Sequence, residues 1–186
     1  MSTEWSANML PPQPGMVEKA IEFVSYFSTG EFLTIKVEAL SSRGWVAVPI
    51  IDDRYTDQEA QRLATAIHKH VGASHLMAIC EIFAYPGEAP ASDVWTVLPT
   101  EADLKNAEWE LSPFYFLLTD TETNFLIWCT KDDWHLLAGP PDFVEDVLGK
   151  PLAAARQQFV DFWNEEHRQE RGRYHLEWAE RLAELG

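Results

Sequence analysis

From Met16 onward, apolar residues recur at steps of three and four. Val17, Ala20, Ile21, Val24 and Phe27 fall on one helical face, and Gly30 ends the run. Phe23 and Tyr26 widen that face, so this helix is expected to be buried on more than one side. The period then changes. In EFLTIKVEAL (Glu31 to Leu40), Phe32, Thr34, Lys36 and Glu38 alternate with Leu33, Ile35, Val37 and Ala39, which predicts a strand with one solvated face. SSRG reads as a turn and WVAVPII (Trp45 to Ile51) as a more deeply buried partner, so the two segments are expected to form a hairpin.

Thr56-Asp57-Gln58-Glu59 matches the capping box, in which Thr and Glu side chains satisfy each other's free backbone donors. Ala60, Leu63, Ala64, Ile67 and Val71 supply the helical stripe behind it, and Gly72 stands where a left-handed cap belongs. A strand is predicted over Ser74 to Phe83, followed by the breaker YPGEAPAS and a short strand over Asp93 to Leu98. Glu101 to Trp109 is acidic and weakly helical. Three strands then follow, Phe114 to Thr119, Asn124 to Thr130 and Trp134 to Ala138, closed by Gly139-Pro140-Pro141. Helices are predicted over Asp142 to Leu148, Leu152 to about Gln169, and Tyr174 to Leu185.

This order predicts an α+β fold with a mainly antiparallel sheet (a hairpin plus a three-strand meander), flanking helices and a helical C-terminus. Residues 1–15, with Pro11, Pro12 and Pro14, read as an extended tail, 16–150 as the α+β domain, and 151–186 as C-terminal helices packed on the domain or on a partner. Tyr174, Trp178, Leu182 and Leu185 give the last of these helices a stripe of its own.

Cys129, Lys131, Asp132, Asp133 and His135 crowd the turn between the last two strands. With a two-residue loop, Asp132-Asp133, Cys129 pairs with Leu136. With a three-residue loop, Lys131 to Asp133, it falls opposite His135. Even then a thiolate–imidazole nucleophile needs exposure and an orienting group. Phe125, Ile127 and Trp128 surround Cys129 in the sequence, and desolvation there keeps a cysteine protonated. A structural hairpin is the stronger reading.

Charge narrows the function classes. The 186-residue chain carries a formal net charge of -16, which repels nucleic-acid phosphates and favours a basic protein partner. No apolar run approaches the length of a membrane span, and MSTEWSANMLPPQPG lacks the features of a secretory signal, so a cytoplasmic protein is expected. Cys80 and Cys129 lie in apolar runs, the habit of buried hydrophobes. His68 and His70 point to different faces of one helix, and no His-Glu-x-x-His or Cys-x-x-Cys spacing occurs, so no metal is expected. Scattered glycines offer neither a phosphate loop nor a dinucleotide fingerprint, so no cofactor is expected either. The 30 carboxylates make any choice of an acid–base pair arbitrary.

Two predicted loops set acids beside a ring: Asp52, Asp53, Arg54 and Tyr55, and Asp132, Asp133 and Trp134. Rings give contact area and carboxylates select a basic partner, so these seven are the candidate partner-binding residues. In composition and rough element order the chain resembles bacterial toxin-immunity proteins and acidic secretion chaperones. The expected function is a non-enzymatic module, monomeric or homodimeric, that masks a basic protein. The alternatives are a dimeric chaperone-like adaptor and a small hydrolase with a carboxylate or histidine site.

Overall fold

The computed structural model describes residues 9–28, 35–51, 55–82, 91–130 and 134–166. Within them a six-stranded antiparallel sheet runs β1 (Val46–Ile51), β6 (Trp134–Gly139), β5 (Leu126–Cys129), β4 (Phe116–Asp120), β2 (Leu76–Ile82), β3 (Ala91–Val97) from edge to edge. Six helices flank it: α1 (Met16–Phe27), α2 (Val37–Ser42), α3 (Asp57–Ala66), α4 (Glu101–Leu111), α5 (Pro141–Leu148) and α6 (Leu152–Glu166). The α+β class and the meander of β4, β5 and β6 are as the periodicity predicts.

Both faces of the sheet are covered. Met77, Ile79, Leu117, Leu126, Trp128, Trp134 and Leu136 point to one side, where α1, α2 and Phe159 of α6 close over them. Leu76, Ala78, Cys80, Phe116, Leu118, Ile127, Cys129 and Leu137 point to the other, under α3, α4 and α5. Strands covered on two faces need no polar alternation, and β4 to β6 are buried along their whole length, Thr119, Asp120 and His135 included.

The predicted hairpin of Glu31–Leu40 with Trp45–Ile51 does not form. Residues 31–34 lie outside the described set, and Val37–Ser42 is helical. Ala39 and Leu40 are adjacent yet both buried on the same side of the sheet, which a strand with alternating faces does not allow. Glu, Ala and Leu also favour helix, and Ser41 and Ser42 donate their hydroxyls to the carbonyls of Val37 and Ala39. Strand β1 pairs instead with β6, the chain's own meander supplying its partner.

The capping box at Thr56 and Glu59 is formed on both sides, and Gly72 takes the left-handed cap at φ 67°. Helix α3 ends in a widened π-helical turn, Ile67–Val71, before that glycine. Residues 9–15 of the expected tail dock. Leu10 bridges Thr96 of β3, whose hydroxyl donates to the Pro11 carbonyl. The helix predicted over Tyr174 to Leu185 lies outside the described residues.

Candidate functional site

At one end of the sheet, Phe116, Cys129, His135 and Ile50 form a row across β4, β5, β6 and β1. Cys129 lies directly opposite His135, the register of a three-residue loop at Lys131–Asp133. One residue beyond that row, Ile51 pairs with Trp134. The end of β1, which precedes segment 52–54 in the chain, therefore lies beside the start of β6, which follows segment 131–133.

A buried carboxylate ties the two strand ends together. Glu108 of α4 is 3% exposed, and its Oε2 accepts the backbone N–H of Tyr55 at 2.6 Å. Its Oε1 lies 2.8 Å from His135 Nε2, and that histidine is equally buried. Tyr55 immediately follows segment 52–54, and His135 is the second residue after segment 131–133. The geometry of α4 makes this possible. Thr100 caps the helix by accepting the Asp103 amide, and Leu104, Ala107, Glu108 and Leu111 then occupy its inward face at steps of three and four. On β6, His135 sits between Trp134 and Leu136 and points to the α4 side because successive strand residues alternate.

Tyr55 and Cys129 complete the cluster. The Tyr55 ring meets the His135 ring edge-on at 5.6 Å, and its hydroxyl reaches the neighbourhood of the Cys129 thiol without hydrogen-bond geometry. Burial pushes the thiol well above its usual range, and the Glu108 charge adds to that rise. Burial likewise pushes up the Tyr55 hydroxyl, with Cys129 and Glu108 contributing in the same direction. Both groups are held neutral. A thiol so placed is no nucleophile, and the desolvation expected from its apolar neighbours is what the fold supplies. His135 Nδ1, also buried, makes no hydrogen bond among the described residues. Beyond Tyr55 lies a cavity of about 40 Å³ lined by Ile50, Glu59, Arg62, Val147 and Lys150 among others, with room for little beyond water.

Of the seven candidate partner-binding residues, Asp52, Asp53, Arg54, Asp132 and Asp133 lie outside the described residues. Of the two rings, Trp134 is buried and Tyr55 half-buried. Trp134 is 2% exposed and packs edge-on against Trp128 and Phe159, and the Tyr55 hydroxyl is buried. The strand alternation that aims His135 at α4 aims Trp134 into the opposite core, so the Trp134 ring is not part of the described surface. Glu108 is the residue that sequence reasoning missed. Its signal was present: it falls on the stripe of Leu104, Ala107 and Leu111, where a lone acid within an apolar face marks a buried pairing.

Among the described residues, no group of three or more His, Cys, Asp and Glu side chains could hold a metal ion, and no helix is long and apolar enough to cross a membrane. No protein-family model matches the chain, and neither a curated protein nor a solved structure is significantly similar to it.

Proposed function

We propose that this chain is an acidic protein-binding module that masks a basic protein partner through the carboxylates of Asp52, Asp53, Asp132 and Asp133. The observation that carries this reading is the double anchorage on Glu108. One buried carboxylate holds the residue that follows the first acidic segment and the histidine that follows the second, at strand ends that pair with each other. A binding surface gains when its supports are fixed before the partner arrives, since less ordering remains to oppose association. Tyr55 and Trp134 serve as those supports, from within.

The net charge of -16 supplies the long-range attraction. An acidic protein attracts a basic one over roughly a Debye length, about 8 Å at physiological salt, and accelerates encounter in a salt-dependent way. The test is direct. A partner is captured from lysate of the source cells at low salt and identified, and its affinity is measured at two ionic strengths. Replacing the four aspartates with Asn is expected to weaken binding at least tenfold at low salt and to flatten the salt dependence. Unchanged affinity and slope would overturn the assignment of these loops.

A further inference from the structure

Away from Glu108, α1, the end of α2 and the connection from β4 to β5 border a cavity of about 230 Å³. Buried Phe23 and Phe27 line it, together with two bases, Lys19 and Arg43, and two acids, Glu22 and Glu122. Arg43 is set firmly in place. Its guanidinium carbon lies 5.2 Å from the Trp45 ring centroid, 5.3 Å from that of Phe27 and 5.8 Å from that of Tyr26. Its Nη1 donates to the Thr123 carbonyl at 2.7 Å. Thr123 in turn has φ 59°, and among the described residues no other non-glycine residue has a positive φ. A β-branched side chain rarely adopts that conformation, and such strain gathers at ligand sites.

What Arg43 lacks is a carboxylate. In a chain of 30 acids and 14 bases it makes no ion pair among the described residues, although Glu122 lines the same cavity. The Glu122 carboxylate is likewise without an ion pair among the described residues. Lys19 and Glu22 meet at 3.9 Å, an exposed contact that contributes little. Stacking on ring faces leaves the N–H edge of a guanidinium open to an acceptor, and its fork suits a carboxylate.

We infer that this cavity binds a zwitterionic α-amino acid, its carboxylate on Arg43 and its ammonium on Glu122. A cation and an anion kept apart on one cavity match a ligand that carries both charges. The net charge of -16 opposes a free anion, whereas a molecule of zero net charge meets no such barrier. Size agrees. The cavity, about 230 Å³, is smaller than the roughly 300–1,000 Å³ of sites for drug-sized ligands, so its occupant is smaller too. This site does not rest on the reading of the acidic loops.

To test it, each of the twenty proteinogenic L-α-amino acids is added at millimolar concentration to the full chain while its melting temperature is followed. At least one is expected to raise it, and the strongest stabiliser is then titrated by calorimetry. Its N-acetyl derivative, which has lost the ammonium, is expected to bind about tenfold more weakly, and so is the parent amino acid to Glu122→Gln. Each change removes one charge-assisted hydrogen bond. The N-acetyl derivative should bind Glu122→Gln and the wild type alike, since one contact can be lost only once. Arg43→Gln is expected to cost about tenfold or more, and Arg43→Lys to restore only part, because lysine lacks the fork. Glu122 is exposed, so Glu122→Gln keeps the test valid even if Arg43→Gln fails to fold. If none of the twenty moves the melting temperature, or if Glu122→Gln leaves affinity unchanged, the site is wrong. Acetate stabilising as well as the amino acid would overturn the zwitterion in favour of a simple anion.

Discussion

Glu108 and Asp120 are both buried carboxylates, and they stand at opposite ends of the sheet. Asp120 closes β4, where its oxygens accept the backbone amides of Glu122 and Asn124 and the Asn124 side-chain amide. All of its partners lie within four residues. Glu108 is satisfied by Tyr55, fifty-three positions away, and by His135, twenty-seven away. A local cap folds with its own turn, whereas a long-range pair exists only once α4, β6 and the start of α3 have come together. The first is a turn device with little to contribute beyond the turn. The second links three elements, and any function resting on them depends on it.

Breaking that long-range pair should have the largest effect. Glu108→Leu leaves His135 and the Tyr55 amide without an acceptor and is expected to cost about 2–6 kcal/mol, the sum for two buried donors left unpaired, measured by urea unfolding with an unchanged m-value. Glu108→Leu combined with His135→Leu should recover much of this, because a buried hydrogen-bonded pair exchanged for apolar side chains of similar shape is often near neutral. Recovery should stop short, since the Tyr55 N–H still lacks a partner, at a cost of about 1–3 kcal/mol. Full recovery in the double variant would show that the Tyr55 bond contributes little.

Asp120→Ala should come next, at about 1–3 kcal/mol, confined to the turn by its local bonds. Hydrogen exchange would localise the change to the residues around 120–124, whereas Glu108→Leu should raise exchange in α4, β6 and residue 55 together. Similar exchange patterns for the two would erase the distinction between local and long-range capping. Thr56→Ala, which removes one half of the α3 capping box, is expected to cost about 1 kcal/mol in the same unfolding assay.

The smallest effect concerns a third carboxylate, exposed rather than buried. Asp146 of α5 accepts from Lys69, which holds its carboxyl below the usual range, and His70 adds to the depression. A depressed folded-state pKa contributes stability above the ordinary carboxylate value near 4 and loses it as pH falls through the folded value. Melting temperatures of the wild type and Asp146→Asn should therefore differ slightly near neutrality and converge in acid. A difference that persists undiminished at the lowest pH would mean that the charge of Asp146 is not its source.

The contrast between the two buried acids recurs throughout the molecule. Local chemistry was legible in the chain: the capping box at Thr56, the left-handed Gly72, the meander strands and the apolar setting of Cys129 follow from neighbours in sequence. The alternation in Glu31–Leu40 does not make a hairpin because the partner expected for it, Trp45–Ile51, pairs with β6 across the sheet. Once β1 takes β6 as its neighbour, Val37–Ser42 is free to follow its own helical preference. The register at Cys129 was narrowed by the sequence to two choices, and the fold selects the one that places it opposite His135.

By itself, then, the sequence determined the α+β class, most element positions and a formal net charge of -16, because each depends on composition or on contacts a few residues long. Only the tertiary structure decided which strands are neighbours, which face each ring takes, and that a glutamate in a weakly patterned helix holds the ends of two distant segments. Those depend on contacts across tens of residues, where the loop-closure cost is met only by the assembled core.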